Sequence, residues 1–233
     1  MAKAASETFA DLGGRPWQNY LDTANVKPSK RHSYDSCLRN WILPFFREWP
    51  LKDITPLLVG EFMAFLSSRG LSRKYRRNLY GLLDSLFDVA VENDLLPGTP
   101  IRPKVHRPKL SPEEKSVFSA DQARQVLQAV APPWEAPVCT LALTGLRSGE
   151  LLGLRWRSID FLRKRISVTH SLWRGHLVRP KTKVSQAKLA MSDLLVQILV
   201  EHRQESGFTE PEDFVFCQTD GKPLDPDSLR RCS

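Results

Sequence analysis

The chain is 233 residues long, 41% apolar and 26% charged, the proportions of a folded globular protein, which exclude a disordered tail, a collagen and a membrane bundle. At ~100–200 residues per domain, the length admits one large domain or two small ones. Lys and Arg number 34 against 26 Asp and Glu, a net charge of +8, which favours a polyanionic partner, either nucleic acid or an anionic membrane surface.

The first half reads as helices. Thr8 to Ala24 is a mildly amphipathic opening segment. Ser29 is placed to cap a helix through about Arg47, with Tyr34, Leu38, Trp41, Ile42 and Phe45 at helical spacing. Thr55-Pro56 pairs an N-cap with proline at the first helical position and opens a third helix that stops near Gly70. Ser72 starts a fourth, whose stripe runs from Tyr75 through Leu79, Leu82, Leu83, Leu86 and Phe87 to Ala90. Helices joined this closely read as a bundle. Leu96 to Pro112 then carries five prolines and Arg102, Lys104, Arg107 and Lys109 without one acid. Prolines at that density are expected to prevent a helix and to mark a linker, whose positive charges could run along a polyanion.

The second half is mixed. Helices are expected from Ser119 to about Val130, from Trp134 to Leu143, over Leu146–Leu154 and over Asp193–Glu205. Strand signals lie at Arg165–Ser171, His176–Pro180 and Lys188–Met191, with a short extended piece at Asp213–Cys217. The expected division is residues 1–96, a basic linker 97–117, and residues 118–233. Residues 1–110 hold 17 basic and 11 acidic side chains and residues 111–233 hold 17 and 15, so the positive excess belongs to the helical half and the linker. Cys37, Cys139, Cys217 and Cys232 form no C-x-x-C pair and read as reduced, partly buried thiols. With no signal-peptide run over Met1–Leu12 and no membrane-length apolar window, the expected location is the cytoplasm.

The most specific string is Leu143-Thr-Gly-Leu-Arg-Ser-Gly-Glu-Leu-Leu-Gly-Leu-Arg-Trp-Arg-Ser-Ile-Asp160. Its spacing puts Arg147 at the start of a helix, with Glu150 one turn on. That pair could brace the turn, or hold the guanidinium ready for a phosphate. The string resembles the first active-site box of the tyrosine recombinases, the phage integrase family, whose pattern runs roughly T-G-L-R-x-x-E-L-x-x-L-x-W-x-D-I-D. Thr144, Gly145, Leu146, Arg147, Glu150, Leu151, Leu154, Trp156, Ile159 and Asp160 match it, and Ser158 stands where Asp is usual.

The resemblance implies a fold that is mainly α with a small antiparallel β-sheet: a four-helix core-binding domain, then an incomplete α+β catalytic domain. It implies double-stranded DNA as partner, full-length recombinase protomers as possible neighbours on that DNA, and no metal, small-molecule cofactor or membrane. Arg147 takes a catalytic arginine position with Glu150 behind it. Lys181, in Pro180-Lys-Thr-Lys183, takes the catalytic lysine position, with Lys183 as second choice and DNA contact; a solvated hairpin lysine is the plain alternative. Ala187-Lys188 stands where the family often has an Arg. Two helices of the first domain would face the major groove. This casts Lys30 and Arg31 in one helix, Arg73, Lys74, Arg76 and Arg77 in another, and Lys104 and Arg107 in the linker as DNA-binding residues. Clustered cations at helix N-termini oppose the helix dipole, so another use for them is expected.

The family's second box, H-x-x-R, and its tyrosine nucleophile have no match. His202 is followed by Glu205 where Arg belongs, His176-Leu-Val-Arg179 precedes the lysine, and Tyr20, Tyr34, Tyr75 and Tyr80 all precede the linker. The segment Asp220–Pro226 resembles the stretch before the second box. The sequence thus reads as a recombinase cut off inside its catalytic domain, without strand exchange of its own and with a marginally stable second half. A module that occupies recombination sites without cleaving them is the alternative. A basic helical regulator with a chance match is the third reading.

Overall fold

The structure is a computed structural model describing residues 7–110, 117–178 and 188–226. Contacts divide the chain into two compact units, residues 1–114 and 115–233. The architecture is the expected one, mostly helical with small antiparallel sheets.

The first unit is built from α1 (Phe9–Leu12), α2 (Arg15–Thr23), α3 (Pro28–Cys37), α4 (Leu43–Phe46), α5 (Pro56–Ser68), α6 (Arg73–Glu92) and α7 (Pro103–His106). The caps at α5 and α6 are those the sequence spells out. The Thr55 hydroxyl accepts the Leu58 N–H at 3.2 Å, and the Ser72 hydroxyl accepts that of Tyr75 at 3.2 Å. Three expectations need correction. The opening segment breaks at Gly13-Gly14 into α1 and α2. The second helix starts at Pro28, not Ser29, with Lys27 as N-cap residue. Nor is it regular to Arg47, because Leu38–Ile42 forms a π turn in which the Leu43 N–H reaches the Leu38 carbonyl. Pro44 accounts for this. Its ring lacks an N–H and would strike the carbonyl of Asn40 in a regular α-helix, and the wider turn accommodates it.

The core of this unit is aromatic. Phe46 is fully buried, with ring centroids of Phe9 at 5.2 Å, Phe45 at 4.8 Å and Phe62 at 5.0 Å. Trp17 stacks on Tyr20 at 5.1 Å and lies 5.6 Å from Tyr34. Tyr34 and Tyr75 pack against the core and Tyr80 is inside it, as expected of tyrosines in amphipathic helices.

The proline-rich segment is not helix-free. Pro103–His106 is a short helix, and Ile101 and His106 are 2% and 4% exposed. Proline at its first position is the one place where the missing N–H costs nothing. The Arg102 N–H donates to His106 Nδ1 at 3.0 Å, which requires that nitrogen to be unprotonated. Burial lowers the His106 pKa and favours the same neutral ring. The unfolded chain, with an ordinary histidine near pH 6.5, binds the extra proton first. Stability from this contact is therefore full above about pH 6.5 and is lost as pH falls below it. Thermal unfolding at pH 8 and pH 5.5 checks this: the wild type loses more Tm on acidification than His106→Gln does.

The second unit comprises α8 (Ala120–Ala129), α9 (Glu135–Thr144), α10 (Ser148–Leu152), β1 (Ile159–Asp160), β2 (Arg165–Ser167), β3 (Ser171–Trp173), β4 (His176–Val178), β5 (Lys188–Ala190) and α11 (Asp193–Glu205). Ser119 and Gln122 form a reciprocal capping box at the start of α8. Antiparallel pairing gives a three-stranded sheet ordered β1-β2-β5, with Ile166 opposite Ile159 and Leu189, and a separate β3–β4 hairpin. The strand expected over Arg165–Ser171 is thus shorter: β2 ends at Ser167, and Ser171 opens β3 in the other sheet. The hairpin turns at Arg174-Gly175, both at positive φ, the requirement of a tight two-residue turn. The core gathers Leu151, Leu154, Trp156, Ile166, Leu195, Leu199, Val215 and Phe216. No helix among the described residues is long and apolar enough to cross a membrane.

Candidate nucleic-acid interface and active site

In the first unit, Tyr75 opens α6 and meets the far end of α3. Its hydroxyl lies 3.8 Å from the Cys37 sulfur, and its ring is 6.4 Å from that of Trp41. The basic first turn of α6 therefore sits beside the α3 C-terminus. Lys30 lies seven residues back along α3, about 10 Å at 1.5 Å per residue. The expected cations thus form a line rather than one cluster.

Their environments differ. Arg73 and Lys74 are exposed, and the first turn of α6 holds no acid. Lys30 is exposed with its ammonium 5.1 Å above the Tyr34 ring, and a hydrogen bond with Tyr34 raises its pKa, so it stays charged. Arg76 and Arg77 are half-buried. The Arg76 Nε is buried without a hydrogen-bond partner, and Arg77 donates to the Pro108 carbonyl at 3.1 Å. Lys104 and Arg107 are exposed. Burial pushes the Asp84 carboxyl pKa up, and the nearby Arg107 charge partly opposes this.

Arg31 has a different task from the one expected. Its guanidinium donates to the carbonyls of Val26 at 2.9 Å and Leu21 at 2.5 Å, and to Asp22 at 2.6 Å. It is committed to closing the end of α2, where carbonyls lack helical partners, and leaves the exposed face. Arg39, a cation the sequence did not single out, is exposed in the π turn two residues past Cys37.

The second site is built around α10. Helix α9 ends at Gly145, which adopts the left-handed conformation with φ of 67°. Chain reversal there delivers Arg147 as the N-cap residue of α10. The Glu150 carboxylate accepts the Arg147 backbone N–H at 3.0 Å and its Nη1 at 2.9 Å. The two side chains are unequally exposed, 80% for Arg147 and 12% for Glu150. A sheltered carboxylate thus anchors a guanidinium whose other donors have no partner among the described residues, an arrangement suited to a bidentate oxyanion. Lys181 and Lys183 lie outside the described residues; the hairpin strand β4 ends at Val178.

The rest of the box is structural. The Trp156 indole is 3% exposed and donates to the Phe208 carbonyl at 2.8 Å. Arg155 and Arg157 both pair with Glu212, and the Val215 N–H meets the Leu154 carbonyl at 3.0 Å. Arg163 donates its backbone N–H to Asp160, lowering that carboxyl's pKa. His202 lies between the rings of Trp156 and Phe216, 6.1 Å and 5.2 Å away, with Nε2 2.7 Å from the Val215 carbonyl. It is half-buried, packed against the core.

Residues 116–232 match the model of the phage integrase family, and residues 16–67 match that of the phage integrase N-terminal SAM-like domain. The ICEBs1 integrase of Bacillus subtilis is 27% identical over 202 residues, covering 82% of this chain and 55% of that protein. A tyrosine recombinase XerC-like protein of Caldanaerobacter subterraneus is 27% identical over 216 residues, covering 84% and 55%. The chain therefore spans about half the length of these relatives. Among solved structures, the Tn1549 transposon integrase with circular intermediate DNA superposes with a TM-score of 0.76 at 20% identity, covering 94% of this chain and 74% of that one. A lambda integrase dimer bound to a COC′ core site gives a TM-score of 0.70 at 17% identity, covering 93% and 59%. With the Thr144–Asp160 box and its Arg147–Glu150 clamp in place, the chain belongs to the phage integrase family, the tyrosine recombinases.

Proposed function

We propose that this chain binds double-stranded DNA as part of a site-specific integration or excision system. In this reading Arg147 is a phosphate ligand of the strand-transfer site. The observation that carries this is the Arg147–Glu150 arrangement, an exposed guanidinium held by a sheltered carboxylate. Lys30, Arg73 and Lys74 supply the sequence-independent grip on DNA phosphates, with Lys104 and Arg107 extending it. Arg31 is left out because its donors are already used.

The chemistry in which Arg147 serves is transesterification. A tyrosine hydroxyl attacks a DNA phosphodiester, an O–P bond to tyrosine forms, and the bond to the 5′-oxygen breaks. Arg147 neutralises charge building on the phosphoryl oxygens. Lys181 gives the departing 5′-oxygen its proton. Residues 1–233 hold four tyrosines, Tyr20, Tyr34, Tyr75 and Tyr80. Tyr80 is buried, and Tyr20, Tyr34 and Tyr75 pack against the core of the helical unit. These residues alone are therefore expected to hold DNA without forming a covalent link.

A nicked suicide substrate tests this. Incubation should give a complex that gel shift detects and that disappears on denaturation with detergent. An adduct surviving denaturation would overturn the non-cleaving part of the proposal and, by its mapped peptide, name the nucleophile.

A further inference from the structure

Helix α10 is only five residues long, yet it carries Gly149 and is capped one turn on by a second glycine, Gly153. Neither has a positive φ, so neither is required by backbone conformation. A Cβ on Gly149 would lie 2.6 Å from the Ser171 hydroxyl and 2.8 Å from the Leu172 carbonyl oxygen. One on Gly153 would lie 3.1 Å from the His170 carbonyl oxygen and 3.2 Å from the Leu172 nitrogen. The backbone of β3 thus rests directly on α10. The helix has no room to retreat, because Leu151 and Leu152 are fully buried and Leu154 is 2% exposed. A side chain at 149 must push apart two backbones, since the Leu172 carbonyl is not a flexible group that swings aside. What moves is the first turn of α10 or the β3–β4 hairpin, and Arg147 begins that first turn.

We infer that Gly149 and Gly153 are positioning residues for Arg147: their missing side chains seat α10 against β3 and so fix where the guanidinium points. The inference rests on the phosphate role given to Arg147 above. It makes a distinctive claim, that an uncharged substitution removes a charge contact. Each phosphate engaged on a duplex contributes about 0.9 to the slope of log affinity against log salt. A variant that merely weakens folding leaves the slope of its folded fraction unchanged.

The experiment is a salt series of duplex binding by fluorescence anisotropy, with circular dichroism as the fold check. It compares the full wild-type chain with Arg147→Ala, Gly149→Ala, Gly153→Ala, Gly149→Ala combined with Arg147→Ala, and Gly207→Ala. Gly207 is the control, since a Cβ there meets nothing within 4 Å. R147A should lower the slope by about one. G149A should lower it by the same amount although it removes no charge, and the double variant should show no further loss. G207A should match wild type. Gly153→Ala, with its milder contacts, shows a smaller shift in the same direction and stands in if G149A does not fold. Folded glycine variants with wild-type slope and affinity would overturn the inference. If R147A itself leaves the slope unchanged, the phosphate role of Arg147 fails first, and the positioning inference falls with it.

Discussion

Replacing Lys30, Arg73 and Lys74 together by alanine lowers the salt slope of duplex binding by about 2–3 and weakens affinity by roughly 10²-fold near 0.1 M salt. The magnitude follows from counting phosphates, since each neutralised phosphate releases condensed counterions worth about 0.9 in the slope. The loss should be uniform across duplex sequences, because phosphate contacts carry no base information. All three side chains are exposed, and Arg73 and Lys74 crowd the positive end of α6 without a neighbouring acid. Removing them there relieves unfavourable charge–dipole interactions of about 0.3–1 kcal/mol each, which offsets the lost contact of Lys30 with Tyr34, so the triple variant should keep a Tm at or near that of wild type. Weaker binding together with an unchanged or raised Tm separates a functional face from a structural one. Arg31→Ala should do the opposite: its donors close the end of α2, so it lowers Tm and has little direct effect on the slope.

Phe46→Ala costs about 3–5 kcal/mol, the range for emptying a buried phenylalanine site. Phe46 is 0% exposed and sits among the rings of Phe9, Phe45 and Phe62. Those neighbours are themselves held by other rings, with Phe9 5.7 Å from Phe87 and Phe45 5.2 Å from Phe62, so the cavity has little freedom to collapse. A unit of about 100 residues shifts by roughly 4–8 °C per kcal/mol, which makes the expected loss about 12–40 °C in Tm. Against a typical stability of 5–15 kcal/mol, the unit is left marginal at 37 °C. Differential scanning calorimetry of the full chain measures this directly. A shift of only a few degrees would show that the aromatic hub is not the organising core of the helical unit.

Local signals carried far in this chain, and tertiary ones did not. Thr55-Pro56, Ser72 and the Ser119–Gln122 pair announce helix starts because a cap is satisfied within four residues of itself. The Arg147–Glu150 clamp is legible for the same reason: both ends lie within one turn, at the N-cap and third positions. Pro44 shows the limit. Its presence forbids a regular helix, but whether the chain breaks or widens into a π turn depends on the packing of Ile42 and Phe46, both fully buried. His106 carries no local mark of burial, because α7 packs against α5, far away in sequence. Arg31 looked like a DNA contact because its acceptors, the carbonyls of Leu21 and Val26, have no sequence signature. Gly149 and Gly153 passed as variable positions in the box. The close approach they allow is visible only once β3, of which the strand signals reached only Ser171, is placed against α10.

The central claim is that this chain grips double-stranded DNA through its exposed cations. It is tested most directly by wild-type binding to a labelled duplex from about 0.05 to 0.3 M salt, read by fluorescence anisotropy. The account predicts a straight line of log affinity against log salt with a slope of several units. Binding that does not change with salt, or no binding at the lowest salt, would contradict it.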